Sequence, residues 1–268
     1  MMKIRRINNE LEIKQEEDTV LVLGYFDGLH KGHQTLFKEA RKIADEKGLK
    51  IAVLTFPESP KLAFVRYQPE LMLHLNHPEE RAAHLENLGV DYLYLIDFTS
   101  HFSKNTAREF FDKYVSALKA KAVVAGFDYH FGSDKRKAEE LADYFDGRIV
   151  IVSSVNQDEE KISSTRIRET IQNGDVAKAH QLLGYPLSTR GIVVHGNARG
   201  RTIGYPTANL APLDRVILPA DGVYVVDVEV QRQRYRGMAS VGKNVTFDGE
   251  EPRFEVNIFD FSDDIYGE

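Results

Sequence analysis

Short apolar runs alternate with segments of helical period along the first two-thirds of the chain. Apolar residues at helical spacing between these runs predict four helices, with Asn105 as the N-cap of the third. The runs themselves are continuous rather than alternating, as in strands buried on both faces of a parallel sheet. The predicted strands are Thr19–Gly24, Lys50–Phe56, Tyr92–Ile96, Ala122–Ala125 and Arg148–Val152, and the helices are His33–Lys47, Pro78–Leu88, Asn105–Lys119 and Lys135–Phe145.

The period changes near Gly184-Tyr185-Pro186. Two more short helices are predicted before it, and almost no helical pattern follows it. Alternating strands separated by Gly, Pro and Asn take over, which is typical of an antiparallel sheet. We therefore expect an α/β domain with a parallel sheet over residues 1–184 and a small antiparallel β-barrel or sandwich over residues 185–268. The later elements are helices Thr165–Gln172 and Val176–Leu183 and strands Gly222–Val230, Arg234–Val241 and Arg253–Phe261.

The composition and net charge of the chain exclude several classes of protein function. The 268 residues are 42% hydrophobic and 28% charged, with a formal net charge of −6, which argues against a dedicated nucleic-acid or membrane-surface binder. The chain has no cysteine, which excludes disulfides, thiolate metal sites and a cysteine nucleophile. No apolar run approaches the ~20 residues needed to span a bilayer, and the N-terminus lacks a signal-peptide pattern. We expect a cytoplasmic protein with no nucleic-acid or membrane partner, and the sequence leaves the oligomeric state open.

A glycine-rich segment follows the first predicted strand. We call Gly24–His33 the phosphate loop, since it joins a strand to a helix where open α/β sheets bind phosphates. Glycine at 24, 28 and 32 permits close backbone approach, and His30 and His33 can donate to phosphate oxygens beside a helix N-terminus. It is not a Walker loop, because the G-x-x-x-x-G-K-[ST] pattern is absent. The alternative is a plain strand-to-helix turn with two surface histidines.

A second candidate anion site starts the helix near residue 164. Ile162–Arg168 offers free backbone N–H groups, the hydroxyls of Ser164 and Thr165, and the guanidinium of Arg166. The same letters also suit an ordinary N-cap. The pair of segments is more specific than either one, because H-x-G-H after the first strand and I-S-S-T-x-I-R at the domain's end together resemble the nucleotidylyltransferase superfamily.

Nearly the whole chain resembles the bacterial bifunctional riboflavin kinase/FMN adenylyltransferases. The resemblance rests on the two segments above, on Gly126–Gly132, and on Gly200–Leu210, whose G-R-x-I-G-Y-P-T-A-N-L letters are characteristic of the flavokinase barrel. It implies a Rossmann-like nucleotidylyltransferase domain followed by a flavokinase-like barrel. It also implies ATP as co-substrate, Mg²⁺ as cofactor, and riboflavin, FMN and FAD as substrates and products.

For the first domain, the resemblance implies adenylyl transfer from ATP to FMN. His30 and His33 would stabilise charge at the α-phosphate, while Ser164, Thr165 and Arg166 would hold the β- and γ-phosphates. Asp128 matches a flavin-side position, although a turn-capping carboxylate is the alternative for it. The remaining ATP-binding residues of this domain would be Gly24, Phe26, Asp27, Gly28 and Gly32.

For the second domain, the resemblance implies phosphorylation of riboflavin at its 5′-hydroxyl. Thr207 and Asn209 would hold Mg²⁺ and phosphate oxygens, and Glu255, on a strand, would be the general base. Without the resemblance, Glu255 reads as an ordinary outward-facing strand residue. The loop over the nucleotide phosphates would come from Gly196, Gly200 and Arg201.

Several positions depart from the family pattern. Thr55–Pro60 reads T-F-P-E-S-P, so Ser59 stands where a histidine is usual, and Ser133–Glu140 replaces a glycine-rich stretch. Residues 242–247 lack the usual proline before Thr-Phe, and Asn257 replaces a common histidine. Family members also continue beyond residue 268, so the barrel is expected to be C-terminally incomplete.

Two alternatives stay open at this point. One is a protein competent only in adenylyl transfer, with a degenerate or truncated kinase barrel. The other is a non-catalytic flavin- or RNA-binding regulator using Arg199–Arg201 as a contact loop, against which the −3 charge of residues 185–268 argues.

Overall fold

The chain forms two compact units. The computed structural model describes residues 1–196, 200, 204–243 and 252–268. The first unit comprises Met1–Ser164 with Leu182–Gly184, and the second comprises Thr165–Gln181 with Tyr185–Glu268. The domain boundary at residues 184 and 185 stays a prediction.

A six-stranded parallel sheet organises the first unit. Its strand order is β1-β4-β3-β2-β5-β8, so β2 lies between β3 and β5. Each inner strand is an almost unbroken apolar run, and the two faces of the sheet carry separate hydrophobic cores. The strands are β1 (Lys3–Ile7), β2 (Thr19–Leu23), β3 (Lys50–Thr55), β4 (Tyr92–Ile96), β5 (Ala120–Gly126) and β8 (Arg148–Val152).

Helices and short hairpins complete the α/β pattern. Buried residues on α1 and α2 recur at helical spacing, as predicted. The helices are α1 (Lys31–Lys47), α2 (Pro78–Asn87), α3 (Ala107–Phe110) with a π-helical turn over Phe111–Val115, α4 (Ser164–Gln172) and α5 (Val176–Leu183). The hairpins are β6 (His130–Phe131) with β7 (Arg136–Lys137), and β9 (Asn156–Gln157) with β10 (Glu160–Lys161). Single 3₁₀ turns cover Glu10–Glu12, Pro60–Ala63, Pro69–Met72, Phe102–Lys104 and Ala138–Asp143.

The predicted start of α3 was wrong by one residue. Thr106, not Asn105, is the N-cap, and it forms a capping box with Glu109 in which each side chain accepts from the other's backbone N–H. Asn105 instead donates its amide to the carbonyl of Phe102 at 2.8 Å. Asn and Thr are both good caps, and the glutamate three residues on decides between them.

The predicted helix over Lys135–Phe145 was also wrong. Residues 136 and 137 pair with β6, and only a 3₁₀ segment follows. The turn is fixed by Asp134, which accepts from the backbone N–H of Ala107 at 2.8 Å and from the guanidinium of Arg136 at 3.0 Å. These contacts reach outside the segment and override its local helical period.

The second unit contains an antiparallel sheet. Among the described residues its strand order is β11-β12-β15-β14-β13, with every pairing antiparallel. The strands are β11 (Gly191–Val194), β12 (Ala208–Pro212), β13 (Gly222–Val230), β14 (Gln233–Lys243) and β15 (Pro252–Ile258). The change from a parallel to an antiparallel sheet confirms the predicted fold class. In the described part of the chain, no helix combines the length and apolar character needed to cross a membrane.

Candidate functional site

The first candidate site lies where the order of the parallel sheet reverses direction. β2 leads into the phosphate loop, and β5, its neighbour, leads into Gly126–Gly132. Leu23 pairs with Ala125, so the ends of both strands lie side by side. Carboxyl ends of parallel strands at such a switch point form the crevice in which α/β proteins bind ligands.

The phosphate loop has an unusual backbone. Phe26, Gly28 and Leu29 all have positive φ, at 57°, 80° and 35°. The Phe26 ring is nevertheless fully buried, 5.2 Å from the ring centroid of Phe37. A Cβ at Gly28 would come within 2.6 Å of the Leu75 side chain, and one at Gly24 within 2.6 Å of the Phe26 ring. Glycine at 24 and 28 is therefore required by packing inside the loop itself.

His30 and His33 form a stacked pair at the start of α1. Their ring centroids are 3.7 Å apart, and Nδ1 of His30 accepts from the backbone N–H of His33 at 3.2 Å. Nδ1 of His33 is buried and has no hydrogen-bond partner. Because Nδ1 of His30 accepts the backbone N–H of His33, the neutral His30 ring carries its proton on Nε2.

Burial keeps both rings neutral. It lowers the pKa of His30 to about 4, an effect that Asp27 and Asp128 oppose and Lys161 reinforces. Burial also lowers the pKa of His33 well below its usual range, with help from His30 and Lys161. Near pH 7 both rings are therefore neutral, and His30 offers an Nε2–H donor without positive charge.

Asp27 and Ser164 tie the loop to its surroundings. The Asp27 carboxylate accepts from the backbone N–H of Leu75 at 2.9 Å, and its carbonyl accepts from the Ser164 hydroxyl at 2.9 Å. Ser164 is the first residue of α4, and this bond places it against the loop. Thr165 and Arg166 follow in the same helix and belong to the second unit.

Asp128 has a cationic partner that the sequence reasoning missed. Its carboxylate lies 2.5 Å from the ammonium of Lys161, which in turn lies 4.5 Å from the ring centroid of Phe127. Lys161 ends the β9–β10 hairpin, immediately before Ile162-Ser163-Ser164. A basic residue directly before a predicted anion site was the available signal.

An aromatic cluster was missed as well. Phe56, Phe98 and Phe102 pack edge to face, with ring centroids 4.9–5.6 Å apart. Phe64 extends this cluster at 5.5 Å from Phe98, yet 66% of it is exposed. An exposed aromatic ring on a packed aromatic base suits a flat apolar ligand.

The second candidate site brings three predicted residues together in the antiparallel sheet. Asn209 on β12 pairs in register with Glu255 on β15, and the Thr207 hydroxyl donates to the Glu255 carboxylate at 3.2 Å. A Cβ at Gly196 would come within 2.3 Å of the Asn209 amide, so a side chain there would displace that amide. A hydroxyl just before β12, an amide on β12 and a carboxylate on β15 thus lie side by side.

Other predicted residues of this site are placed less fully. Gly200 accepts at its carbonyl from the backbone N–H of Tyr205 at 2.8 Å. Asn257, the departure from a common histidine, donates to the carbonyl of Pro206, the residue before Thr207, at 2.7 Å. Arg201 lies outside the described residues.

Comparison with known families identifies both halves of the chain. A family model described as FAD synthetase matches residues 12–166, and one described as Riboflavin kinase matches residues 183–268. The chain belongs to the bifunctional riboflavin kinase/FMN adenylyltransferase family. With both domains present, it is a transferase of FMN and FAD biosynthesis that uses ATP and flavin substrates, and nothing in the comparisons supports the single-activity or regulator alternatives.

Relatives of this family align over most of the chain. Bifunctional riboflavin kinase/FMN adenylyltransferases from Listeria monocytogenes and Bacillus subtilis are 44% and 40% identical over 93% and 95% of the chain, and the matches cover 80% and 83% of those proteins. The Escherichia coli protein of that name is 32% identical over 100% of the chain and is covered to 86%.

A solved structure shares the fold. It has a TM-score of 0.95, is 61% identical and covers 99% of this chain, which covers 88% of it. It comes from Streptococcus pneumoniae and is titled as a macrolide-efflux protein. Its title names a different activity from the family to which the present chain belongs.

The second site offers donors that suit magnesium. In the described ranges no group of three or more His, Asp or Glu side chains could hold a metal ion by itself. Thr207, Asn209 and Glu255 instead present neutral and anionic oxygens, which suits an ion that keeps several waters and shares its shell with substrate phosphates.

Proposed function

We propose that the phosphate loop carries adenylyl transfer from ATP to FMN. The stacked His30 and His33, two neutral imidazoles at the start of α1, support this assignment most directly. An FMN phosphate oxygen attacks the α-phosphorus, the bond from that phosphorus to the β-bridging oxygen breaks, and pyrophosphate leaves. No enzyme nucleophile is needed, so positioning and charge stabilisation supply the catalysis.

The roles of the surrounding residues follow from their positions. Gly24, Phe26, Asp27, Gly28 and Gly32 shape the loop around the nucleotide, and Ser164, Thr165 and Arg166 hold the β- and γ-phosphates. Asp128, paired with Lys161, borders the flavin side. The exposed ring of Phe64, which packs on the aromatic cluster, provides an apolar face for the flavin ring.

The second site is proposed to phosphorylate riboflavin. Glu255 accepts the proton of the 5′-hydroxyl as that oxygen attacks the γ-phosphorus of ATP, and ADP leaves. Thr207 and Asn209 would hold Mg²⁺, and Gly196, Gly200 and Arg201 would cover the phosphates. Bound Mg²⁺ would neutralise charge on the phosphates at both sites.

The remaining expectations belong to the same proposal. Residues 1–184 would form the adenylyltransferase domain and residues 185–268 the kinase domain. A cytoplasmic location and the lack of nucleic-acid and membrane partners rest on the net charge of −6 and the absence of cysteine. The oligomeric state is left open.

Two turnover assays test the assignment. Purified protein with ATP and Mg²⁺ should convert riboflavin to FMN and, separately, FMN to FAD, as followed by chromatography. Chelating the metal should abolish both conversions. If the protein forms FAD from FMN but no FMN from riboflavin, the proposed kinase activity is wrong. If it converts neither flavin, both proposed activities are wrong.

A further inference from the structure

The phosphate loop is bonded along its length to three consecutive residues far away in sequence. Tyr25 Oη lies 3.3 Å from His74 Nδ1, and Asp27 accepts from the backbone N–H of Leu75 at 2.9 Å. The backbone N–H of Gly28 donates to the Asn76 side chain at 3.3 Å. The contacts at residues 25 and 27 flank Phe26, and the contact at Gly28 lies directly before Leu29, so they hold the backbone next to the positive-φ residues.

We call the contacts of Tyr25, Asp27 and Gly28 with His74–Asn76 the clamp. Two further side chains support it from behind. His74 Nε2 lies 3.3 Å from the Glu58 carboxylate. His74 therefore lies between the Glu58 carboxylate, on its Nε2 side, and the Tyr25 hydroxyl, on its Nδ1 side. Arg81 lies 5.9 Å from the Tyr25 ring centroid, and it donates to the Phe56 carbonyl at 3.2 Å.

Burial makes the arrangement costly unless it is ordered. His74 and Arg81 are each 5% exposed and Asn76 is 2% exposed. Buried polar side chains require partners, and an apolar core would be cheaper for stability alone. Backbone in the left-handed region persists only where its surroundings hold it. The buried polar residues of the clamp are therefore suited to holding the phosphate loop in one geometry.

We propose that His74, with Glu58 behind it, is a positioning residue for adenylyl transfer that acts through Tyr25. Its contact fixes the strained turn that delivers His30 and His33 to the α-phosphate. Glu58 belongs to the T-F-P-E-S-P segment, in which the sequence departs from the family pattern. This inference rests on the proposed function of the phosphate loop.

Variants of His74 and Tyr25 separate positioning from stability. Tyr25→Phe removes the hydroxyl, and His74→Gln places an amide toward Glu58 while losing the contact to Tyr25. His74→Asn places an amide near the Nδ1 position and retains a partner for Tyr25. For Tyr25→Phe and His74→Gln we expect kcat for FAD formation to fall about tenfold with KM for ATP little changed, because a misplaced donor costs mainly in the transition state.

The controls lie in the same chain. Tyr94→Phe removes another buried hydroxyl, which donates to Gln15 at 2.8 Å away from the loop, and it should leave kcat unchanged. Riboflavin phosphorylation should stay constant in every variant. His74→Asn should recover most of the activity, and the double variant Tyr25→Phe with His74→Gln should be no slower than either single variant.

Each contrary result has a distinct meaning. If Tyr25→Phe behaves like Tyr94→Phe, or if His74→Asn and His74→Gln lose equally, the positioning role is wrong. A parallel loss of both activities would likewise reduce the clamp to a structural element. His30→Ala tests the site itself: if it leaves FAD formation intact, the proposed function fails whatever the clamp variants show.

Discussion

The ring of His30 lies face to face with that of His33, and the His30 Nδ1 is occupied by the backbone N–H of its neighbour. Nε2 is therefore the His30 nitrogen that can donate to a ligand. The contribution of each ring can therefore be tested with Asn, whose amide lies near the Nδ1 position, and with Gln, whose amide lies near the Nε2 position.

Replacing either histidine should separate the two activities. His30→Ala and His33→Ala should lower kcat for FAD formation by ~10²–10³, the usual cost of one lost transition-state donor. Riboflavin phosphorylation by the same protein should not change. At residue 33, Gln places an amide N–H near the Nε2 position and should retain more activity than Asn. An equal loss of both activities would contradict separate sites.

Acid should destabilise the first unit through His30. The pKa of His30 is about 4 in the folded chain and about 6.5 when unfolded, so the unfolded state binds more protons below pH 6.5. The stability is fully present above pH 6.5 and declines as pH falls toward 4, by about 3 kcal/mol from this group.

Hydrogen exchange of the β2 and α1 amides between pH 7 and 4.5 measures this decline. The control is His30→Asn, which keeps a capping acceptor but cannot titrate. The variant should lose less stability on acidification than the parent. Identical slopes in the two proteins would show that His30 does not titrate in this range.

Glu255 should govern only the kinase reaction. Glu255→Gln keeps the size of the side chain and removes its ability to take a proton, so FMN formation should fall ~10²–10⁴-fold. Formation of FAD from added FMN serves as the internal control and should be unaffected. If the rate of FMN formation is unchanged in this variant, Glu255 is an ordinary strand residue and not the general base.

The capping box at α3 makes a stability prediction. Thr106→Ala removes the cap and should lower the free energy of unfolding by about 1 kcal/mol, measured by urea titration. Ser103→Ala, which removes an exposed hydroxyl bonded to the Ser100 carbonyl, is the matched control and should change little. Equal effects from the two changes would argue that the box adds nothing to the helix.

Local pattern predicted most of the fold, and its failures share one cause. β4 and β8 were placed at their observed bounds because continuous apolar runs admit few alternatives. β1 was missed because K-I-R-R-I has neither a continuous apolar run nor a strict alternation, and this edge strand is stabilised by its pairing with β4. The segment after Asp134 follows contacts to Ala107 that no local pattern encodes.

The candidate sites divide in the same way. The motif residues His30, His33 and Asp128 could be named from spacing and resemblance. Lys161 had a signal in its place before Ile162–Arg168, but its partner Asp128 did not show in the sequence. His74 and Arg81 could not be named, because their contacts span 25 to 56 positions and the sequence does not display their burial.

The contact between Gly28 and Leu75 has an evolutionary consequence. Leu75 fills the volume into which any side chain at residue 28 would project, and the backbone N–H of Leu75 also binds Asp27. Divergence at either position is therefore constrained by the other across nearly fifty intervening residues. We therefore expect the residues around His74–Asn76 to change together with the phosphate loop during divergence, as closely as the residues of the glycine-rich motif do.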